Sequence, residues 1–136
     1  MNKTEIVDFI NRNPVFALAT CINNIPYVRN MLAIKASESE VIFNVKKYKP
    51  VYRQLTVNPN VELCFYNKEA GTQVRIIGKA IEVFSNPLVE EVLLKHPDLQ
   101  AQIAKHGKEV ISLFAIRNWK ATLWNSKNKE QTLEIQ

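Results

Sequence analysis

The stretch "VFALATCINNIPYVRNMLAIKA", residues 15–36, decides the fold class. Val15 to Ile22 is a nearly unbroken apolar run of strand length. Asn23-Asn24 follows, and asparagine tolerates the positive φ that a tight hairpin turn demands. Ile25 to Ala36 then reads as the return strand. No helix of about 10–15 residues separates the two runs, so the connection is an antiparallel hairpin and not a parallel crossover.

The flanks extend this pattern. Asn2 and Glu5 have capping-box spacing, and Ile6, Phe9 and Ile10 give a helix an apolar side before Asn13-Pro14 ends it. After a "SESE" turn (37–40), "VIFNV" (41–45) is a short third strand. A basic loop follows in "FNVKKYKPVYRQL" (43–55), which carries Lys46, Lys47, Lys49 and Arg53. Pro50 suits the first turn of a short helix with Val51, Tyr52 and Leu55 on its apolar side, closed by "NPN" (58–60). "VELCFYN" (61–67) and "TQVRIIGKAIEVF" (72–84) are further strands, and Gly78 implies a bulge or a close backbone approach. Helices are expected from Asn86-Pro87 and from Pro97-Asp98, the second ending at Gly107. "VISLFAI" (110–116) and "KATLW" (120–124) make one or two strands, and residues 125–136 read as a frayed end. The order predicts a mainly β domain over residues 1–136, a small antiparallel barrel with helices packed outside.

The totals agree. A chain of 136 residues with 46% hydrophobic and 23% charged residues suits one soluble domain, and a formal charge of +5 favours anionic ligands. Cys21 and Cys64 lack any CxxC or clustered Cys/His spacing, so no metal site is expected; buried free thiols in a reducing compartment are. The N-terminal segment is charged and amphipathic, unlike a signal peptide, and no apolar run approaches the ~20 residues that span a bilayer. A cytoplasmic location follows as the expectation. There is no GxGxxG, Walker loop or GxSxG elbow, so no catalytic residue is identified and a cofactor would carry any chemistry. His96 and His106 fall at expected helix ends, where imidazole complements the helix dipole.

The basic loop has three readings. Strand, loop and helix start form a good phosphate site, with Lys49 beside the helix end. The cluster is also what a solvated face shows. Tyr48 and Tyr52 interleave with the cations as in single-strand nucleic-acid binders, but the other basic residues are scattered among acids and no RNA-binding signature is present.

Taken together, "PVFALATCINNIPYVRNM", "VIFNVKKYKPVYRQLTVNPNVELCFYN" and "TQVRIIGKAIEV" resemble the FMN-binding split-barrel family related to pyridoxamine 5'-phosphate oxidase, from about Val15 to Trp124. The resemblance implies a six-stranded antiparallel split barrel that forms a homodimer, with FMN in the clefts between subunits. It implies that Arg29, Asn30 and Met31 line the flavin, and that Asn44, Val45 and Lys46 lie at the phosphate strand end. Lys49 would meet the phosphate, Gln73 the flavin ring, and Trp124 would come from the other subunit. The implied activity is an FMN-dependent oxidoreductase that passes electrons from a nicotinamide cofactor to a small organic acceptor. The alternatives are FMN binding or sensing without turnover, or a split barrel for haem or a deazaflavin; haem would need His96 or His106 as axial ligand.

The sequence also departs from the family pattern. Val45 stands where relatives often carry Thr or Ser, a hydroxyl for which Lys46 would compensate. Asn44 follows Phe43 where nitroimidazole-resistance relatives typically have a histidine. No arginine follows Trp124, whereas the true oxidases carry a C-terminal arginine segment that helps hold pyridoxal phosphate.

Overall fold

The structure, a computed structural model, describes residues 1–127 with their side chains and 129–135 as backbone. Helix α1 (Lys3–Arg12) opens with the expected capping box. The Glu5 N–H donates to Asn2 Oδ1 at 2.9 Å, and the Asn2 N–H to Glu5 Oε1 at 3.3 Å. Its apolar side buries Ile6, Phe9 and Ile10. Strands β1 (Val15–Ile22) and β2 (Ile25–Ala36) pair antiparallel from Val15↔Leu32 to Ile22↔Ile25. Asn23 and Asn24 turn the hairpin at φ 52° and 62°. There follow β3 (Glu40–Lys46), α2 (Pro50–Val57), β4 (Asn60–Asn67), β5 (Thr72–Val83), α3 (Asn86–Lys95), α4 (Pro97–His106), β6 (Ile111–Arg117), β7 (Lys120–Asn125) and β8 (Lys129–Ile135).

The order β4-β1-β2-β3-β6-β5 closes into a six-stranded antiparallel barrel through β4–β5 pairing. This is the expected split barrel, and its interior is filled by aromatic rings. Phe65, Phe16, Phe43 and Phe114 form a chain with centroid spacings of 5.0, 5.6 and 6.0 Å. Strands β7 and β8 continue the sheet outward from β5. Residues 129–135 are thus a strand and not the expected frayed end, paired with β7 from Asn125↔Lys129 to Ala121↔Ile135. An edge strand offers unpaired backbone groups, and meeting them requires no apolar pattern in the incoming segment.

The barrel opens at two places. Strands β2 and β3 pair only from Ala33↔Phe43 to Ala36↔Val41, with a register shift between Ala33 and Lys35. Before Ala33, β2 follows β1, and β3 beyond Phe43 follows β6. The second opening is a fork along β5. Thr72–Ile77 pairs with β7, and Ala80–Val83 pairs with β6. Gly78 sits at the fork, where a Cβ would lie 2.7 Å from Ile116 Cγ2. The β4 register runs through Val61↔Gly78 without a break, so this glycine serves a close approach and not a bulge.

Helices α3 and α4 pack outside the barrel on a small second core of Val92, Leu99 and Leu113, with Ile34 and Ile111 against it. This fixes their elbow at His96 beside β2 and β6. Among the described residues, no helix is long and apolar enough to cross a membrane.

The fork makes a prediction. Ile116 is fully buried, and the contact is with its branch methyl Cγ2 and not with the far end of a flexible side chain. Gly78→Ala should therefore lower stability in urea by about 1–3 kcal/mol, the range for overpacking a core. An unchanged unfolding midpoint would show that the fork yields freely.

Candidate functional site

Where β2 and β3 part, they leave a cavity of about 780 Å³. Strand β2 contributes Tyr27, Arg29, Asn30, Met31 and Leu32; β3 contributes Asn44 and Lys46. Lys49 and the first turns of α2, through Gln54, form another wall, and the α3–α4 elbow adds His96, Asp98 and Leu99. Six residues expected from sequence therefore meet here: Arg29, Asn30, Met31, Asn44, Lys46 and Lys49.

The other three lie elsewhere. The Val45 side chain is buried in the barrel core, 1% exposed. Gln73 and Trp124 are cross-strand partners on β5 and β7, and with Arg75 and Thr122 they line a separate cleft of about 290 Å³. Within one chain they do not join the main cavity.

The basic loop divides cleanly. The Lys49 N–H donates to the Lys46 carbonyl at 3.0 Å, a turn that brings both side chains to the cavity. Lys49 is the N-cap of α2 and makes no side-chain capping bond. The Lys47 N–H is bound by the Val110 carbonyl at 2.8 Å, and its ammonium lies 5.9 Å from the centre of the Tyr52 ring. Arg53 is exposed to solvent. Tyr52 itself hydrogen-bonds Glu82 at 3.0 Å, and Ser112 donates to the same carboxylate, tying α2 to β5 and β6. Desolvation and the neighbouring Glu82 push the Tyr52 phenol up.

The charge on the cavity is one-sided. Among the described residues, Arg29, Lys46 and Lys49 form no ion pair, and Asp98 is the only acidic side chain on the walls. Arg29 is held by neutral groups: its Nη1 donates to the Leu18 carbonyl at 3.2 Å and to Thr20 Oγ1 at 2.8 Å, and its Nη2 donates to Gln54 Oε1. Burial lowers its pKa, yet a guanidinium stays charged at neutral pH. Such a wall can bind a ligand that is anionic on one part and apolar on another. Among the described residues it carries no serine or cysteine nucleophile.

Gln54 and Asp98 were not anticipated as site residues, and His96 was named only as an axial ligand for the haem alternative. Gln54 had a signal: it stands at helical spacing from Val51 and beside Leu55, hence on the inward side of α2. His96 and Asp98 had none, because only the packing of α3 and α4 brings their elbow to the cavity. The thiols also differ from expectation. Cys21 and Cys64 are free but half-buried, and burial pushes the Cys64 thiol up against an opposing pull from Arg75. Among the described residues, no group of three or more His, Cys, Asp or Glu could hold a metal ion.

Comparison with known proteins agrees with this fold. The profile of the pyridoxamine 5'-phosphate oxidase family matches residues 3–122. No curated protein sequence matches the chain. Among solved structures, a NimC/NimA family protein from Clostridium acetobutylicum is 23% identical, with a TM-score of 0.78 over 96% of this chain and 93% of that one. A protein from the same organism, related to general stress protein 26 of B. subtilis, is 11% identical with a TM-score of 0.79, covering 98% of this chain and 94% of that one. A heme binding protein from Mycobacterium smegmatis is 15% identical with a TM-score of 0.73, covering 98% of this chain but 58% of that one. At these identities the structures speak for the fold alone. The profile spans most of the chain, and the chain belongs to the pyridoxamine 5'-phosphate oxidase family.

Proposed function

We propose that this protein is an FMN-binding flavoprotein that works as a homodimer and passes electrons from a nicotinamide cofactor to a small organic acceptor. The observation that carries the reading is the gathering of Arg29, Lys46 and Lys49 on one cavity, without ion-pair partners among the described residues. Cations collected without counter-ions attract a ligand of several negative charges. The uncapped start of α2 suits a phosphate, and each charge-assisted bond contributes about 1.5–3 kcal/mol. Met31, Leu32, Val51 and Leu99 suit a flat aromatic ring on the same walls. FMN joins those two features in one molecule.

When bound, FMN would supply the hydride and electron chemistry that no side chain on this cavity supplies. The chain's own residues bind and orient. Lys46 and Lys49 hold the phosphate, Lys46 making up for the hydroxyl that Val45 lacks. Arg29 offers its guanidinium to the anionic part of the cofactor, and Asn30, Met31 and Asn44 flank the rest. Gln73 and Trp124 complete the site from a second copy. Two observations support that second copy. Gln73 and Trp124 face a cleft of their own, and the unpaired length of β2 carries exposed apolar side chains, Val28 at 70% and Ile25 at 52%.

Haem is the second reading, and His96 favours it. This imidazole lines the cavity and makes no capping bond at α4.

Three outcomes are expected. The purified protein, as isolated or after incubation with FMN and removal of the free cofactor, should show the two visible bands of oxidised flavin; these should bleach with NAD(P)H under anaerobic conditions and return with a quinone. A chain that stays colourless with FMN sinks the reading, and a Soret band lost in His96→Ala selects haem instead. Lys49→Ala should weaken FMN binding by about tenfold or more, the loss expected for one charged contact. Unchanged affinity removes Lys49 from the site. Sedimentation should give the mass of two chains, and a monomer that binds FMN fully would rule out the shared site.

A further inference from the structure

The hydrogen bonds around Arg29 form a closed ring across three elements. Arg29 on β2 donates through Nη1 to Thr20 Oγ1 on β1 at 2.8 Å, and the Thr20 hydroxyl donates to Gln54 Oε1 on α2 at 2.6 Å. Arg29 Nη2 donates to the same Gln54 oxygen. Two donors converge on one amide oxygen, which settles which way the amide points. Gln54 and Thr20 are 7% and 3% exposed. A third bond runs from Nη1 to the Leu18 carbonyl. A guanidinium has five N–H groups. With three of them engaged in these bonds, Nε–H and one Nη2–H find no protein acceptor among the described residues.

A half-buried arginine is ordinarily matched by a carboxylate. Here every acceptor is neutral, although glutamate at position 54 would make the same two contacts with the same side-chain length. We infer that Gln54 is a positioning residue that fixes Arg29 without neutralising it, so that the guanidinium's full charge and its two free N–H groups serve an oxyanion of the ligand. The anion is of the carboxylate, phosphate or enolate kind, able to accept two roughly parallel N–H bonds. The inference deepens the flavin reading and rests on it only for the ligand's identity.

Gln54→Glu separates charge from anchoring. It keeps an oxygen facing Thr20 and Arg29, so its thermal midpoint should equal or exceed that of wild type, whereas Gln54→Ala should lower the midpoint. The affinity of Gln54→Glu for FMN, followed by quenching of flavin fluorescence, should fall about tenfold or more. Affinity within about twofold of wild type overturns the inference. A second measurement needs no flavin and no variant. Benzoate, a planar carboxylate without phosphate, should move the NMR signal of Arg29 Nε–H in the wild-type chain. No movement overturns the inference. Movement in a chain that binds no FMN keeps the inference and sinks the flavin reading.

Discussion

Strand β2 follows β3 only as far as Ala33, and the rest of the structure depends on that limit. A register shift between Ala33 and Lys35 ends the ladder, so the first part of β2 and the last part of β3 diverge instead of closing. Backbone groups on such an edge must be met by something other than a neighbouring strand. Around this gap the chain arranges its remaining parts. Helix α2 starts beside it, the α3–α4 elbow leans on it, and the aromatic chain from Phe65 to Phe114 keeps the barrel interior solid behind it. The cavity is therefore a property of the strand pairing. The side chains decide what enters it.

The far side of the barrel solves an opposite problem. Strand β5 must serve β4 on one edge and two strands in succession on the other. Changing partners brings the β6 side chain Ile116 onto the β5 backbone, and only a residue without a side chain fits beneath it. The two openings thus have different causes, an irregular ladder at one and a missing Cβ at the other.

Much of this was legible locally. The Asn23-Asn24 turn and the capping box at Asn2 each express a constraint that acts within a few residues, whereas the glycine at position 78 marks a close approach whose partner, Ile116, lies far along the chain. Burial patterns gave the strands, and the helix start at Pro50 separated Lys49 from Arg53. Site membership was harder, because it is set by contacts between distant segments. Gln54 falls on the inward side of a short helix, yet nothing local shows that Thr20 of β1 and Arg29 of β2 meet it there. His96 looks like a helix end until the second core draws its elbow to the barrel. Gln73 and Trp124, expected at the flavin, pair across β5 and β7, and one chain gives no reason for them to meet Arg29. The last strand carried no signal, since an edge can recruit a polar segment through backbone alone.

Three positive charges around one cavity repel each other, and the one that is half-buried, Arg29, is held there by neutral contacts. An anion that enters relieves this repulsion in the folded chain and does nothing for the unfolded one. At a hundredfold excess over its dissociation constant, such a ligand adds about 2.7 kcal/mol to stability. Small domains have margins of only about 5–15 kcal/mol, so this increment changes how often the chain opens to proteases. Turnover of a chain that binds such an anion would thereby be tied to ligand supply: scarcity would shorten its lifetime before any loss of activity were felt.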